Sequence, residues 1–225
     1  MYKRQTFYDG QALMVPRRLN VTNGRQLNGA TVCVQPGTTT ELNISDFFRA
    51  NNIRFTPVVI ADLDEIRRAY DSGRCDVFTN DFAALAAQRT LLTRPADHVI
   101  LADRLSKEPL AVTVRQGDAE LANIVAWTTF ALIDAEEMGL TMANVEQIAG
   151  SSTNPVVRRL LGVEGNMGES LGAARPDFAR QIVRTFGNYG EMFERHLGVN
   201  TPLGLERGMN NIWTRGGLLY APPAR

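Results

Sequence analysis

The sequence has few of the residues that build metal and nucleic-acid sites. Among its 225 residues only two are cysteines and two are histidines, and no Cys-x-x-Cys pair occurs. A metal site is therefore not expected. Basic and acidic residues number 24 each, so the net charge is zero. Because there is also no basic run interleaved with aromatic residues, nucleic acid is not an expected partner.

Long apolar runs and phosphate-binding loops are missing as well. The longest apolar run, residues 124–133, contains two threonines and is too short to span a membrane. Residues 1–5 carry no apolar core of a signal peptide. The turn at Pro36-Gly37 is not followed by Gly-Lys-Ser/Thr, which excludes a P-loop. With 44% hydrophobic and 21% charged residues, the composition is that of a globular protein of one or two domains.

The most informative stretch is residues 31–43, TVCVQPGTTTELN. Residues 31–34 are typical of a buried strand, and the Pro-Gly pair ends it. Thr38 is then the predicted N-cap of a helix, with Glu41 in capping-box spacing. Backbone N–H groups, hydroxyls and the positive end of the helix dipole converge there, which predicts an anion-binding site. The alternative is a helix that merely caps itself, and this stretch alone does not decide between them.

The region that follows alternates between strands and helices. Predicted strands at 55–60, 75–79 and 98–102 are separated by predicted helices at 62–72 and 82–92. This alternation indicates an α/β fold with a parallel sheet, in which ligands lie beyond the carboxyl ends of the strands. With the common strand order 2-1-3, residues 37–40, which we call the threonine turn, are expected to lie next to Asp81. The donors of the turn would then suit the carboxylate of a zwitterion, and Asp81 its ammonium group. The alternative for Asp81 is a plain N-cap of the helix 82–92.

The two ends of the chain are predicted in less detail. Residues 6–15 are expected to form one strand, and residues 110–114 another. Asp118 is expected to cap an amphipathic helix, and residues 175–197 to form a single helix weakened by two glycines. From the residues alone, Cys33 and Cys75 are either two buried thiols or one disulfide.

Several stretches together match a known family. They are YDGQALMV, GATVCVQPGTTTELN, FFRANN, LDEIRRAYDSGRCDVFTNDFAAL, SKEPLAVTVRQGD, RRLLGVEGNMG, GNYGEMFERHLG and WTRGGLLYAPPAR. They cover nearly everything from Thr6 onward. The chain resembles the type II periplasmic solute-binding proteins of amino-acid ABC transporters. It is most similar to the general L-amino-acid permease binding proteins.

The resemblance implies two α/β lobes joined by two crossover strands, with the amino acid enclosed between them. The second lobe is expected within residues 16–107, as a complete parallel-type sheet with flanking helices. Residues 1–15 and 108–225 are expected to be the crossover strands and the C-terminal part of the first lobe. That lobe is incomplete here, since the family's opening segment, its carboxylate-clamping arginine and a signal peptide are not in the sequence. We expect that segment upstream of Met1, and weak or no binding of amino acids by these 225 residues alone.

The resemblance also assigns ligand-binding residues. Gly37, Thr38, Thr39 and Thr40 are expected to bind the α-carboxylate of the ligand, and Asp81 its α-ammonium. No catalytic residue and no metal ligand are expected.

The implied function is capture of free L-amino acids of broad specificity in the periplasm and delivery to the membrane permease. A monomer that is not an enzyme and has no cofactor is expected. The predicted strands at 31–34 and 75–79 are neighbours in the expected strand order, and the periplasm preserves disulfides. Cys33 and Cys75 are therefore predicted to be bonded. The alternatives are a dehydratase-like enzyme on the same fold and a truncated fragment that binds no ligand.

Overall fold

The protein is described by a computed structural model covering residues 2–171 and 175–223. Its chain divides into two compact units, one from Asp9 to Pro109 and one made of the residues up to Tyr8 together with those from Leu110 onward. We call the first the central unit and the second the terminal unit. The central unit begins at Asp9 rather than at residue 16. The assignment of ligand-binding lobes to 16–107 and to 1–15 with 108–225 stays a prediction.

Strands and helices alternate through the central unit, and helices dominate the terminal unit. The strands are β1 (Tyr2–Asp9), β2 (Gln11–Pro16), β3 (Ala30–Val34), β4 (Phe55–Val59), β5 (Val77–Asp81), β6 (His98–Ile100) and β7 (Glu108–Val114). The helices are α1 (Thr39–Ala50), α2 (Leu63–Asp71), α3 (Phe82–Thr90), α4 (Ala119–Glu137), α5 (Val145–Ser151), α6 (Pro155–Leu160), α7 (Phe178–Phe186) and α8 (Tyr189–His196).

The central unit contains a five-stranded sheet in the order β4-β3-β5-β2-β6. Strand β3 runs parallel to both β4 and β5, so the predicted order 2-1-3 of the first three strands is confirmed. The prediction of a parallel-type sheet needs one correction. Strand β2 lies antiparallel between β5 and β6, which makes the sheet mixed.

The prediction of one strand over residues 6–15 is wrong, because the strand is interrupted at Gly10. Strand β1 pairs with β7 in a separate two-stranded sheet, whereas β2 enters the five-stranded sheet. A side chain cannot replace the hydrogen of Gly10, since a Cβ there would lie 2.6 Å from the carbonyl oxygen of Ser106. The close approach of these two backbone segments therefore fixes where β1 ends and β2 begins.

Apolar side chains cover both faces of the five-stranded sheet. On one face Val32 and Val77 pack with Ile44 and Phe48 of α1. On the other face Phe78 packs with residues of α2 and α3. Because side chains alternate along a strand, the odd-numbered residues of β5 share the face that α1 covers.

The terminal unit is built around the 19-residue helix α4, which packs against α7 and α8. The prediction of a single helix over 175–197 is wrong. The structure has α7 and α8, because the Asn188 side chain and Glu191 form a capping box that starts a new helix. Within residues 2–171 and 175–223, no helix is both long and apolar enough to cross a bilayer.

The disulfide prediction is confirmed. Cys33 on β3 and Cys75 just before β5 are bonded, with their Cα atoms 5.6 Å apart. Both residues are buried between the sheet and its helices. The structure thus decides between two buried thiols and one disulfide, which the residues alone left open.

Breaking this disulfide should lower the free energy of unfolding by about 2–4 kcal/mol, because the bond closes a long loop in the unfolded chain. The loop spans 42 residues. Urea unfolding with and without a thiol reductant measures the loss. A Cys33→Ala/Cys75→Ala variant serves as the control, because the reductant should leave its midpoint unchanged. Equal midpoints for wild type in both conditions would contradict the prediction.

Candidate ligand-binding site

The turn between β3 and α1 is held by two reciprocal hydrogen bonds. Thr38 Oγ1 accepts the Glu41 N–H at 3.2 Å, so Thr38 is the N-cap as predicted. Glu41 Oε2 in return accepts the N–H of Gly37 at 2.8 Å, rather than that of Thr38 itself. Gly37 has a φ of +69°, a conformation that glycine adopts without strain. The turn is therefore preformed by local hydrogen bonds.

These bonds leave several donors of the turn unused. The backbone N–H groups of Thr38, Thr39 and Thr40 have no hydrogen-bond partner within the described part of the chain. The hydroxyls of Thr39 and Thr40 make no hydrogen bond to described residues either. A helix N-terminus with unused N–H groups and hydroxyls is suited to binding an anion such as a carboxylate.

Asp81 occupies the N-cap position of α3, but its side chain does not cap the helix. Asp9 does so instead, because its Oδ2 accepts the N–H of Ala83 at 3.0 Å. Asp9 Oδ1 accepts the Gly10 N–H at 2.8 Å, which fixes the orientation of this carboxylate. The alternative interpretation of Asp81 as a plain N-cap is therefore wrong for its side chain. Its carboxylate accepts no hydrogen bond from the residues that the structure describes.

The surroundings of Asp81 favour binding of a cation. Its half-buried carboxyl has a raised pKa, chiefly because burial disfavours the charged form, and also because Asp9 and Glu108 carry like charges nearby. A cation that binds here compensates for the lost solvation of the Asp81 carboxylate and for its repulsion by Asp9 and Glu108. An ammonium group, with three N–H donors, meets these requirements.

Gln11 is the residue of this region that sequence reasoning missed. Its Nε2 donates to the carbonyl oxygen of Thr40 at 3.0 Å and to Thr79 Oγ1 at 2.9 Å. Gln11 also lies directly opposite Asp81 in the β2–β5 ladder. One fully buried side chain thus connects the first turn of α1 to the strand that carries Asp81. A glutamine at the head of the apolar run of β2 was the feature that could have revealed it.

The pairing of β3 with β5 brings the predicted residues to one edge of the sheet. Strands β3 and β5 are parallel neighbours, so the threonine turn and Asp81 lie at the same strand ends. Asp81 shares the α1 face of the sheet with Thr79. The structure therefore brings Gly37, Thr38, Thr39 and Thr40 to the edge where Asp81 lies.

A cavity of about 580 Å³ in the central unit lies elsewhere. It is lined by residues that include Arg94 and Tyr70, and it borders the pair Pro16–His98 at the far end of β2. Gln11 and Asp81 mark the near end of the same strand. The cavity is thus separate from the predicted site. In the described ranges no group of three or more acidic, histidine or cysteine side chains is arranged to hold a metal ion.

Replacing Asp9 with alanine should lower the free energy of unfolding by about 0.5–2 kcal/mol, the usual cost of losing a helix cap. Asp9→Asn should cost less, because its amide oxygen still accepts the Ala83 N–H. Urea unfolding of the whole chain measures both changes. Asp81→Ala is the comparison that decides which aspartate caps α3, since it should show no such loss. A larger loss for Asp81→Ala than for Asp9→Ala would contradict the assignment.

Comparison with known proteins connects this arrangement to a family. The solved structure of an ABC transporter / periplasmic binding protein from Brucella ovis, with glutathione bound, matches the chain with a TM-score of 0.94. The two proteins are 47% identical, and the match covers 99% of this chain and 70% of that one. The chain belongs to the periplasmic solute-binding proteins.

Curated relatives of this solute-binding protein agree with the assignment. The glutamate/glutamine/aspartate/asparagine-binding protein BztA of Rhodobacter capsulatus is 51% identical over 97% of the chain. The general L-amino acid-binding periplasmic protein AapJ of Rhizobium johnstonii is 48% identical over 100% of it. The solute-binding protein spans 64% and 66% of the lengths of these two relatives. No family model matches the chain.

The family and the α/β fold class expected from the sequence of this solute-binding protein are thereby confirmed. Its curated relatives are named as binding proteins. AapJ and the Brucella ovis protein are named as periplasmic, which implies a periplasmic location. The ligand contacts expected of the threonine turn and of Asp81 stay predictions.

Proposed function

We propose that this solute-binding protein captures free L-amino acids in the periplasm and delivers them to the membrane permease of an ABC transporter. The names of its relatives support this, since BztA and AapJ are named as binding amino acids. The Brucella ovis relative holds glutathione, a peptide that carries an α-amino acid group. The specificity is broad because the contacts proposed below involve groups that all α-amino acids share.

The single observation that carries the proposal is the state of the Asp81 carboxylate. It stands at the start of α3, yet Asp9 performs the capping that this position usually performs. The protein thus keeps a half-buried, repelled carboxylate whose removal would not weaken the helix. We assign it to the α-ammonium of the ligand, whose positive charge offsets the cost of keeping that carboxylate ionised.

The α-carboxylate then falls to the threonine turn. The unused N–H groups of residues 38–40 and the Thr39 and Thr40 hydroxyls are donors of the kind that an anion requires. Gln11 holds the first turn of α1 to β5 and so sets the spacing between the two halves of the site. Both halves lie at the same strand ends, as a ligand with both charged groups on one carbon requires.

A dehydratase-like enzyme on the same fold is not favoured by these residues. A general acid or base would have to reach the ligand. Glu41, near the threonine turn, already accepts a hydrogen bond from the N–H of Gly37. Asp81 is assigned to the ammonium group, so we propose binding without turnover.

Titration of L-amino acids into the whole chain, followed by amide chemical shifts in NMR, tests the proposal. This readout also measures weak binding. We expect shifts at Gly37, residues 38–40 and Asp81 with each L-amino acid tested. An alkylamine and a carboxylic acid, each presented alone at the same concentration, should shift them far less, because each satisfies only one half of the site. If none of the L-amino acids causes these shifts, or if an amino acid is converted to a product, the proposal is contradicted.

A further inference from the structure

The cavity of about 580 Å³ in the central unit lies at the end of β2 that is remote from the proposed amino-acid site. Pro16, the last residue of β2, pairs with His98, the first residue of β6. A short 3₁₀ helix, Arg17–Leu19, follows at once, so this register brings Arg17 and Arg18 close to His98. All four residues line the cavity, and we call them the arginine wall. The volume falls within the usual range of small-molecule sites, about 300–1,000 Å³.

The arginine wall carries positive charge that has no carboxylate partner. Arg18 makes no hydrogen bond or ion pair with any residue that the structure describes. Arg17 donates from Nε to the carbonyl oxygen of Ala96 at 2.9 Å, and its two Nη groups make no hydrogen bond to described residues. Burial raises the pKa of Tyr70 and lowers that of His98, and the charge of Arg18 acts to lower both. The Arg18 guanidinium therefore acts on the two rings that line the cavity.

The carboxylates of the cavity lining already have partners. Asp71 Oδ2 accepts the N–H of Thr93 at 3.1 Å and its hydroxyl at 2.7 Å. Asp97 pairs with Arg94, with 3.2 Å between Oδ2 and Nε. The lining thus has three arginines against two carboxylates. The C-terminal end of α2 also borders the cavity, and its dipole disfavours an anion there. The arginine wall is therefore the part of the cavity that suits an anion.

His98 adds a third nitrogen-bearing group to the arginine wall. Its Nδ1 and the hydroxyl of the buried Tyr70 are joined by a hydrogen bond of 2.7 Å, which fixes the imidazole ring. Nε2 makes no hydrogen bond to a described residue. Burial lowers the pKa of His98, the two aspartates of the lining act to raise it, and Arg94 and Arg18 act to lower it. An anion on the arginine wall would favour the protonated imidazole and raise this pKa.

We propose that this cavity binds a small phosphate monoester, with its phosphate group on the arginine wall. Such a group has three terminal oxygens and a charge of about −1.5 to −2 at neutral pH, so it can pair with both arginines and accept a hydrogen bond from His98. A carboxylate, with two oxygens and one charge, satisfies a single guanidinium fork. The rest of the cavity has room for the organic part of the ligand. This second ligand is independent of the amino acid bound at the other end of β2.

Titration of phenyl phosphate into the whole chain tests the proposal, with the two histidines as NMR reporters. We expect the ring signals of His98 to shift and its pKa to rise, because the bound anion stabilises the imidazolium. His196, in the terminal unit, should show neither change. Phenol should not bind because it has no phosphate group. Inorganic phosphate should bind more weakly because it lacks the organic part.

Substitution of Arg18 separates a built site from a general attraction of anions. Arg18→Gln should weaken the binding of phenyl phosphate about tenfold or more, since it removes a charged donor. Arg18→Lys keeps the charge without the fork and should cause a smaller loss. Arg25→Gln is the matched control, because Arg25 is also exposed but does not line the cavity. The urea midpoint should be unchanged in all three variants, since neither arginine side chain bonds to a described residue.

Three outcomes would overturn the inference. The first is an equal loss of affinity in Arg18→Gln and Arg25→Gln. The second is no change at His98 with phenyl phosphate or inorganic phosphate. The third is binding to phosphatidylglycerol vesicles without binding of phenyl phosphate, which would assign the arginine wall to a membrane surface. Each leaves the proposed function standing, because amino-acid binding is measured at Gly37 and residues 38–40, at the other end of the sheet.

Discussion

Replacing Asp81 with asparagine should weaken the binding of every accepted L-amino acid by about tenfold to a hundredfold. The change removes the charge but keeps the size of the side chain, so the α-ammonium loses its counter-charge in the site. The loss should be similar for all ligands, since each presents the same ammonium group. NMR titration of several L-amino acids into the Asn variant measures it.

The same substitution should leave the free energy of unfolding equal or higher at neutral pH. Burial and the charges of Asp9 and Glu108 raise the pKa of Asp81 in the folded state. A raised carboxyl pKa favours the folded state below the unfolded pKa, and that advantage disappears as the pH rises through the folded pKa. At neutral pH the ionised carboxylate therefore destabilises the fold, and asparagine removes this cost. The difference between the variants should shrink in acid.

Asp62 provides a matched control for both measurements. It occupies the N-cap of α2, and its side chain does accept the Glu65 N–H, at 2.9 Å. Asp62→Ala should cost about 1 kcal/mol of stability, whereas Asp62→Asn should affect neither stability nor binding. Wild-type affinity in Asp81→Asn would remove Asp81 from the site and leave the ammonium group without an assigned partner.

Replacing Arg207 with alanine should lower the free energy of unfolding by about 3–5 kcal/mol. In the terminal unit Arg207 forms two parallel hydrogen bonds with Glu136, at 3.1 and 2.9 Å. Glu136 is buried and Arg207 largely so, with 5% and 11% of their side-chain surfaces exposed. Removal of Arg207 leaves the buried Glu136 carboxylate with only the weak contact to the exposed Arg215, which costs far more than the loss of a surface pair.

Urea unfolding of the whole chain measures this loss, and Arg215→Ala is its control. Arg215 approaches the same carboxylate at 3.4 Å but is 62% exposed, so its removal should cost less than about 1 kcal/mol. A double variant, Glu136→Gln/Arg207→Met, should recover part of the loss because it leaves no unpaired buried charge. Equal losses for Arg207→Ala and Arg215→Ala would contradict the prediction.

The sequence by itself determined the local parts of the site. The strand, the Pro-Gly break and the N-cap at Thr38 follow from residues three or four positions apart, and the structure contains them as predicted. The alternation of strands and helices, together with the common strand order 2-1-3, predicted the order of β4, β3 and β5, and therefore that the threonine turn lies near Asp81. Patterns of this kind are recorded in the sequence because the groups that interact are close in the chain.

Only the tertiary structure decided which aspartate caps α3 and what connects the two halves of the site. Asp9 and the Ala83 N–H are 74 positions apart, and Gln11 and Thr79 are 68 apart. Both contacts exist because β2 inserts antiparallel beside β5, in a register that places Gln11 opposite Asp81. A strand's partner and register depend on the packing of the whole sheet rather than on its own residues. For this reason the sequence left open whether Asp81 caps α3 or binds the ligand. The structure shows that its side chain does not cap the helix.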